Sequence, residues 1–303
     1  MADKKEGGQA TPTYVANPAT GHWEQIPPES TPKPADPALE PTVEVERVAA
    51  DFKALIRISV LEDALAPIAA LRDEALFTLG KGGIEGRAVD AAHVALAVVR
   101  LQPNAFEKFK GKKDGSFAVV VDDLWTALKH ANKTPSQFAW LEVADGKIRL
   151  AYGRHSYQAN QADLTPAYWP KIPQLSTALP ATLSVGRFDY VRTLQALSDI
   201  TDHVRQSATA EEGFKVWGKD DDGHSWTSIW PDNEAIVKLD GPAKSLHPLA
   251  YLQFIVNSIP HSCTHVTLKL GVDYPMTLAW PITKAQKTVG DVMCMLAPRI
   301  ESE

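Results

Sequence analysis

The sequence predicts an α+β chain built from two similar domains, each an antiparallel sheet with two helices on one side. Three observations carry this. Short alternating or β-branched runs recur between turn residues, as at 138–142 and 147–152 on either side of Ala144-Asp145-Gly146. A few windows instead carry apolar residues at helical spacing: Leu61, Leu65 and Ile68, then Leu124, Leu128 and Ala131, then Val191, Leu194 and Leu197, then Leu252, Ile255, Val256 and Ile259. The order strand, helix, several strands, helix, several strands also repeats after roughly 130 residues, which marks an internal duplication.

Residues 1–48 stand apart. They hold Pro12, Pro18, Pro27, Pro28, Pro32, Pro34, Pro37 and Pro41 among small polar residues, a composition that buries too little apolar area to offset its ordering entropy. A disordered or extended segment is expected there. Folded sequence begins near Val48.

Residues 52–58 read as a strand, followed by a helix that contains Pro67. Strands are expected at 75–79, 83–90 and 93–101, the first two joined by a hairpin turn at Gly80-Lys81-Gly82-Gly83. A strand at 117–121 leads into a helix at 122–133, acidic at its start and basic at its end, which suits the helix dipole. Strands at 138–142, 147–152 and 155–161 close the first domain. In 162–178, Pro166, Pro170 and Pro173 bracket Tyr168, Trp169 and Ile172, so this reads as an extended connector.

The second domain answers with a strand at 183–185, a helix at 187–203, strands at 213–216 and 225–230, a helix through 246–260, and strands at 265–270, 276–280 and 291–296. The expected division is 1–48, 49–161, 162–178 and 179–303.

Apolar residues make up 44% and charged residues 22% of the 303, as in a soluble globular protein, and the formal charge of −6 gives no global attraction to nucleic acid. Cys263 and Cys294 are too few and too far apart for a disulfide framework. No apolar run reaches the length of a membrane span, and the first residues lack the apolar core of a leader, so an intracellular protein is expected.

Nothing points to catalysis. There is no phosphate-loop spacing, no pair of carboxylates and no His/Cys cluster that would support chemistry. His261, Cys263 and His265 are close in sequence but lack the converging ligands a zinc site needs, so neither metal nor cofactor is expected.

Three segments resemble the proliferating cell nuclear antigen family, the archaeal and eukaryotic DNA polymerase sliding clamps. Residues 83–94 (GIEGRAVDAAHV) resemble the family's G-(I/L)-x-x-(R/Q)-A-(V/M)-D-x-x-H-V segment. Residues 246–260 (LHPLAYLQFIVNSIP) resemble its S-L-D-Y-L-x-x-(M)-x-K-A-I-P helix, and Leu296-Ala297-Pro298-Arg299-Ile300 its C-terminal signature. The resemblance covers about residues 50 to 303, and the 48-residue extension is not part of it.

What the resemblance implies is a ring-forming, non-enzymatic clamp: a homotrimer, or a mixed heterotrimer, around duplex DNA. It would be opened by a clamp loader and would tether DNA polymerase and other clamp-binding proteins at the chromosome, in the nucleoid or the nucleus. A scaffolding clamp-fold protein with weak DNA contact is the alternative.

Carried over by residue, the client-peptide groove would use Val89, His93, Leu164, Tyr168, Trp169, Ile172, Leu175, Pro275, Met295, Leu296, Ala297 and Pro298. The DNA channel would use Lys53, Arg57, Arg72, Lys129, His130, Lys133, Arg187, Arg192, His203, Arg205 and Lys244. The subunit interface would use Arg154, Tyr157, Trp226, Ile229 and Trp230. The lining is thin: Glu62 and Asp63 on the first helix, and Gln253 and Asn257 on the last, stand where the family usually has lysines.

Overall fold

The computed structural model describes residues 13–16, 23–26, 49–112, 114–163, 170–173 and 178–299. Within the extension, β1 (Thr13–Ala16) and β2 (Trp23–Ile26) pair as a two-stranded antiparallel sheet, an order the proline-rich composition does not reveal.

The first half runs β3 (Phe52–Arg57), α1 (Ile58–Ala69), β4 (Glu74–Gly80), β5 (Gly83–Val89), β6 (Ala95–Leu101), β7 (Phe106–Gly111), β8 (Gly115–Val120), α2 (Val121–Asn132), β9 (Phe138–Ala144), β10 (Lys147–Tyr152) and β11 (His155–Asn160). The second runs β12 (Ala181–Gly186), α3 (Arg187–Ser198), β13 (His203–Thr209), β14 (Gly213–Lys219), β15 (Ser225–Trp230), α4 (Asp232–Ala235), β16 (Ile236–Leu239), β17 (Ala243–Pro248), α5 (Leu249–Asn257), β18 (His265–Leu270), β19 (Met276–Lys284) and β20 (Lys287–Leu296). The orders coincide element by element. Phe52 and Ala181 open equivalent strands 129 residues apart, as Ile58 and Arg187 open equivalent helices. The short α4 answers a 3₁₀ turn at Pro103–Ala105.

The strands form a five-stranded sheet (β11-β10-β9-β3-β7), a four-stranded sheet (β15-β14-β13-β17) and a nine-stranded sheet (β16-β12-β18-β19-β20-β6-β5-β4-β8). The nine-stranded sheet joins the halves where β6 pairs with β20, with Ala95 opposite Leu296 and Leu101 opposite Gly290. α1 packs against α2, and α3 against α5.

Pro67 lies inside α1, where its missing N–H and ring clash cost about 3 kcal/mol. The helix continues to Ala69 because Leu65, Pro67 and Ile68 are all buried, and each large apolar side chain returns about 1.5–3 kcal/mol.

Three expectations need correcting. The third helix ends at Ser198 rather than near 203, because residues 203–209 are captured as β13 between β14 and β17. Leu246 to Pro248 end β17, and the helix after them starts only at Leu249, with Pro248 in extended conformation as its N-cap. β7 and β16, which the sequence did not announce, are sheet-edge strands with mostly exposed side chains, so alternation there is weak.

The two halves fill equivalent positions differently. In the first, Phe77 on β4 faces Phe117 on β8, their rings stacked at 5.3 Å. In the second, the same register pairs Gln206 on β13 with Ser245 on β17. Tyr190 stands where the first half has Leu61, and His247 where it has Val119. The Tyr190 hydroxyl donates to Gln206 Oε1 at 2.8 Å, and Gln206 Nε2 donates to His247 Nδ1 at 3.3 Å. His247 therefore carries its proton on Nε2, which is buried without a partner, as is Ser245 Oγ. Burial pushes the His247 imidazole down to about 3.

Candidate functional site

The seam between the halves presents an ordered outer face. On β5, β6 and β20 the side chains pointing away from the main core align in three rows, read from the register: Val89–Leu96–Met295, Arg87–Val98–Met293 and Glu85–Arg100–Asp291. Leu96, Val98 and Met295 form a buried cluster separate from the main core, flanked by Val89, Met293 and Ile172. One end of this face is thus apolar.

The other end is charged. Glu85 meets Arg87 at 2.6 Å and Arg100 at 2.8 Å, and Arg100 meets Asp291 at 3.2 Å. Burial pushes the Glu85 carboxyl up, but the hydrogen bonds from Arg100 and Arg87 outweigh it and hold the group below its ordinary value. Arg87 also donates to the Pro170 carbonyl at 2.9 Å, tying the segment that carries Ile172 to the sheet.

The turn between β5 and β6 is built on Asp90, which the sequence reading places at the end of a strand with no role of its own. Its buried carboxylate accepts from the backbone N–H of Ala92, Val94 and Ala95 at 2.9, 2.7 and 2.6 Å. It also accepts from the Tyr251 hydroxyl of α5 at 2.7 Å, bonding the first half to the second. That bond, with burial behind it, pushes the Tyr251 hydroxyl up to about 12, so it stays a donor. His93 is exposed in the same turn at φ 56°, beside the apolar cluster. The C-terminal tail is pinned alongside: Ala297 N–H donates to the Val94 carbonyl at 2.9 Å, and Arg299 N–H to the Leu246 carbonyl at 2.8 Å.

The expected groove residues therefore divide. Val89, Ile172 and Met295 gather on this outer face, His93 is exposed in the turn after β5, Ala297 is pinned to that turn with Pro298 following it, and Pro275 is buried just before β19. Leu296 does not belong with them. It alternates to the inner face with Cys294 and lies in the main core at 1% exposure. Leu164, Tyr168, Trp169 and Leu175 lie outside the described residues.

The expected channel set divides too. Lys129, His130 and Lys133 are exposed on and just after α2, and Arg192 is exposed on α3 with its guanidinium 5.4 Å from the Phe188 ring. Arg72 is half-buried after α1. Arg187 donates to the Ile259 carbonyl at 3.1 Å, closing α3 against the end of α5.

Lys53, Arg57, His203, Arg205 and Lys244 are on strands, not helices, at positions alternating with core residues. Their side chains point to the sheet faces opposite the helices, because successive strand residues point to opposite faces. The helices themselves carry Glu62, Asp63, Asp122, Asp123 and Asp189, and α5 has no charged residue and leaves Phe254 54% exposed. Burial, then the neighbouring Glu62 charge, pushes the Asp63 carboxyl up to about 7.

Among the expected interface residues, Trp226 and Ile229 on β15 are 45% and 54% exposed. Trp230 instead turns inward, 5.3 Å from the Phe214 ring, and belongs to the domain's own packing. Tyr157 on β11 is half-buried, and Arg154 is exposed in the turn before it.

Cys263 is buried and its thiol donates to the His265 carbonyl at 3.0 Å, with burial pushing its pKa up, which does not suit a metal ligand. Asp220, Asp222 and His224 lie within 4.8 Å of one another between β14 and β15, where Asp220 closes the turn by accepting from the His224 N–H at 2.7 Å.

Residues 52–152 match the proliferating cell nuclear antigen, N-terminal domain. Over 253 residues the chain is 31% identical to a DNA polymerase sliding clamp of Methanosarcina barkeri, spanning 83% of this chain and 100% of that one. The chain belongs to the DNA polymerase sliding clamp family. A clamp of Halobacterium salinarum is 30% identical over 83% of this chain and 99% of its own length.

Among solved structures, the complex described as the C-terminal region of FEN-1 bound to A. fulgidus PCNA superposes with a TM-score of 0.73 at 25% identity, over 83% of this chain and 100% of that one. The clamp fold is also that of PCNA from Thermococcus kodakaraensis, with a TM-score of 0.72 at 21% identity over 82% and 100%. Clamps of this family are non-catalytic processivity factors.

Proposed function

We propose that this protein is a replicative sliding clamp whose copies join head to tail, three to a ring, around duplex DNA. The carrying observation is a pair of open strand edges. Among the described residues, β11 pairs only with β10 and β15 only with β14; β7 and β16 are also paired on one side only. Edge strands invite uncontrolled pairing unless covered, and β15 leaves Trp226 and Ile229 in solvent. Pairing β15 of one copy with β11 of the next covers both and generates a closed ring when the rotation closes. Arg154 and Tyr157 supply the other side of that contact.

Residues 49–161 and 179–303 are then the two clamp domains, joined by 162–178. The helices line the hole, with Lys129, His130, Lys133 and Arg192 facing phosphates and Arg72 and Arg187 at the margins. The protein acts inside the cell at the chromosome, loaded by a separate clamp loader.

The outer apolar face at Val89, Leu96 and Met295, bordered by His93 and the tail at Ala297 and Pro298, receives the apolar anchors of polymerase and other clients. The FEN-1 segment in the related complex is an example of such a client. Pro275 supports the groove floor, and Ile172 borders it from the connector.

Retention on DNA tests this reading. Protein loaded with a clamp loader and ATP should stay on nicked circular DNA and slide off once the circle is linearised. Equal retention on both forms would contradict encirclement. The uncharged α5 favours one second reading, a clamp-fold scaffold with weak DNA contact. It predicts ring assembly and client binding, with no retention on circles.

A further inference from the structure

The outer face of the five-stranded sheet is basic, in a chain whose formal charge is −6. The side chains opposite the core on its strands include Lys53, Arg57, Lys108, Lys110, Lys147 and Arg149, against the carboxylates Glu107 and Glu142. Glu142 meets Lys53 at 2.9 Å, and Glu107 meets Lys284 at 3.3 Å and Arg57 at 3.9 Å. Lys108, Lys110 and Lys147 are exposed and carry no ion pair among the described residues.

Two aromatic rings lie among these cations. Lys53 Nζ sits 5.5 Å from the Trp140 ring centre, and Arg57 Cζ 5.0 Å from that of Phe138. The duplicated half is less basic there. Its equivalent positions on β12, β16, β18 and β19 include Thr182, Gly186, Lys238, His265, Thr267 and Lys269, with two lysines and one imidazole but no phenyl or indole ring. The common fold does not require a basic, aromatic face.

We infer that this outer face is a second nucleic-acid site, outside the ring, that takes single-stranded DNA. The cations follow the phosphates. Trp140 and Phe138 offer flat faces to unpaired bases, whose stacking is sequence-tolerant. A sheet of this kind does not enter a duplex groove, so paired bases could not reach the rings. Pairing through the β11 edge leaves the face open, so a ring that encircles a duplex presents three such faces to an unpaired strand. The site stands independently of encirclement, because it needs only the folded subunit.

The test is fluorescence anisotropy of a labelled oligothymidylate of about twenty nucleotides with the full-length protein. With about four phosphate contacts, affinity should fall about 50-fold between 50 and 200 mM salt. Lys108→Glu, Lys110→Glu and Arg149→Glu together should weaken binding at least tenfold. Trp140→Ala should weaken it about five- to tenfold with the salt dependence unchanged, and Trp140→Phe should restore most of that loss. Lys129→Glu with Lys133→Glu, on the helix face, should change it less than twofold. Thermal melting of each variant separates lost binding from lost folding.

Absence of binding by the full chain at about 50 mM salt would overturn the inference. So would loss through the Lys129 and Lys133 changes alone, which places the strand in the channel. A Trp140→Ala variant that binds as tightly as the wild type would overturn it in favour of a purely ionic surface for an acidic partner.

Discussion

The two halves of this clamp share an order of elements and a strand register, yet their interiors are of opposite kinds. At the centre of the first, Phe77 stacks on Phe117 beside a small apolar cavity also lined by Leu61 and Val119. At the matching centre of the second, Gln206 bridges Tyr190 and His247, opposite Ser245. Side-chain volume and alternation suffice to specify the fold once. The second copy reaches the same backbone through a directional network, in which every unmade hydrogen bond carries a cost. The Phe77–Phe117 centre of the first should resist changes of pH and suffer from lost volume. The second should behave the other way.

The largest expected effect lies in the first half. Phe77→Ala enlarges an existing void and should destabilise the protein by about 3–5 kcal/mol in urea unfolding, with little dependence on pH. A loss under about 1 kcal/mol would mean that the site collapses freely and that this interior is not volume-limited.

Next comes the acid response of the second half. His247 has a folded pKa of about 3, below its ordinary value of about 6.5. Below about pH 6.5 the unfolded chain binds a proton that the native state refuses. The His247 contribution to stability should therefore fall as pH drops from 6.5 toward 3, by at most about 1.4 kcal/mol per unit. Asp63 contributes in the opposite sense, since its raised pKa favours the folded state as pH falls below about 7. His247→Val, which copies the first half, should remove the His247 fall from the profile. A His247→Val protein with the parent's acid response would place the response elsewhere.

The smallest effect is Tyr190→Phe, which leaves Gln206 Oε1 without its donor and should cost about 1–2 kcal/mol. A neutral result would mean that the amide finds another partner.

The same contrast explains what could be read from the sequence. Helices α1, α2 and α5 announced themselves because their buried faces are wholly apolar. β13 did not, since Gln206 occupies a core position between Val204 and Ala208 and breaks the apolar alternation. β7 and β16 stayed hidden as edge strands with few buried side chains.

At the seam, the motifs located the groove but not its facing. Strict alternation along β20 puts Met295 outside and Leu296 inside, whereas motif membership treats them alike. Alternation likewise takes Lys53 and Arg57 away from the helix face. Asp90 was visible only as a member of the 83–94 motif, because its bond to Tyr251 spans 161 positions. No local pattern encodes that pairing.

The most direct test of the clamp reading is the mass of the purified full-length protein in solution, by light scattering at micromolar concentration. The account predicts the mass of three chains, reduced to one chain when Ile229→Glu and Tyr157→Glu charge the two edges. A wild-type protein that stays a single chain would contradict the self-closing ring and leave the β15 edge, with Trp226 exposed, to an unlike subunit.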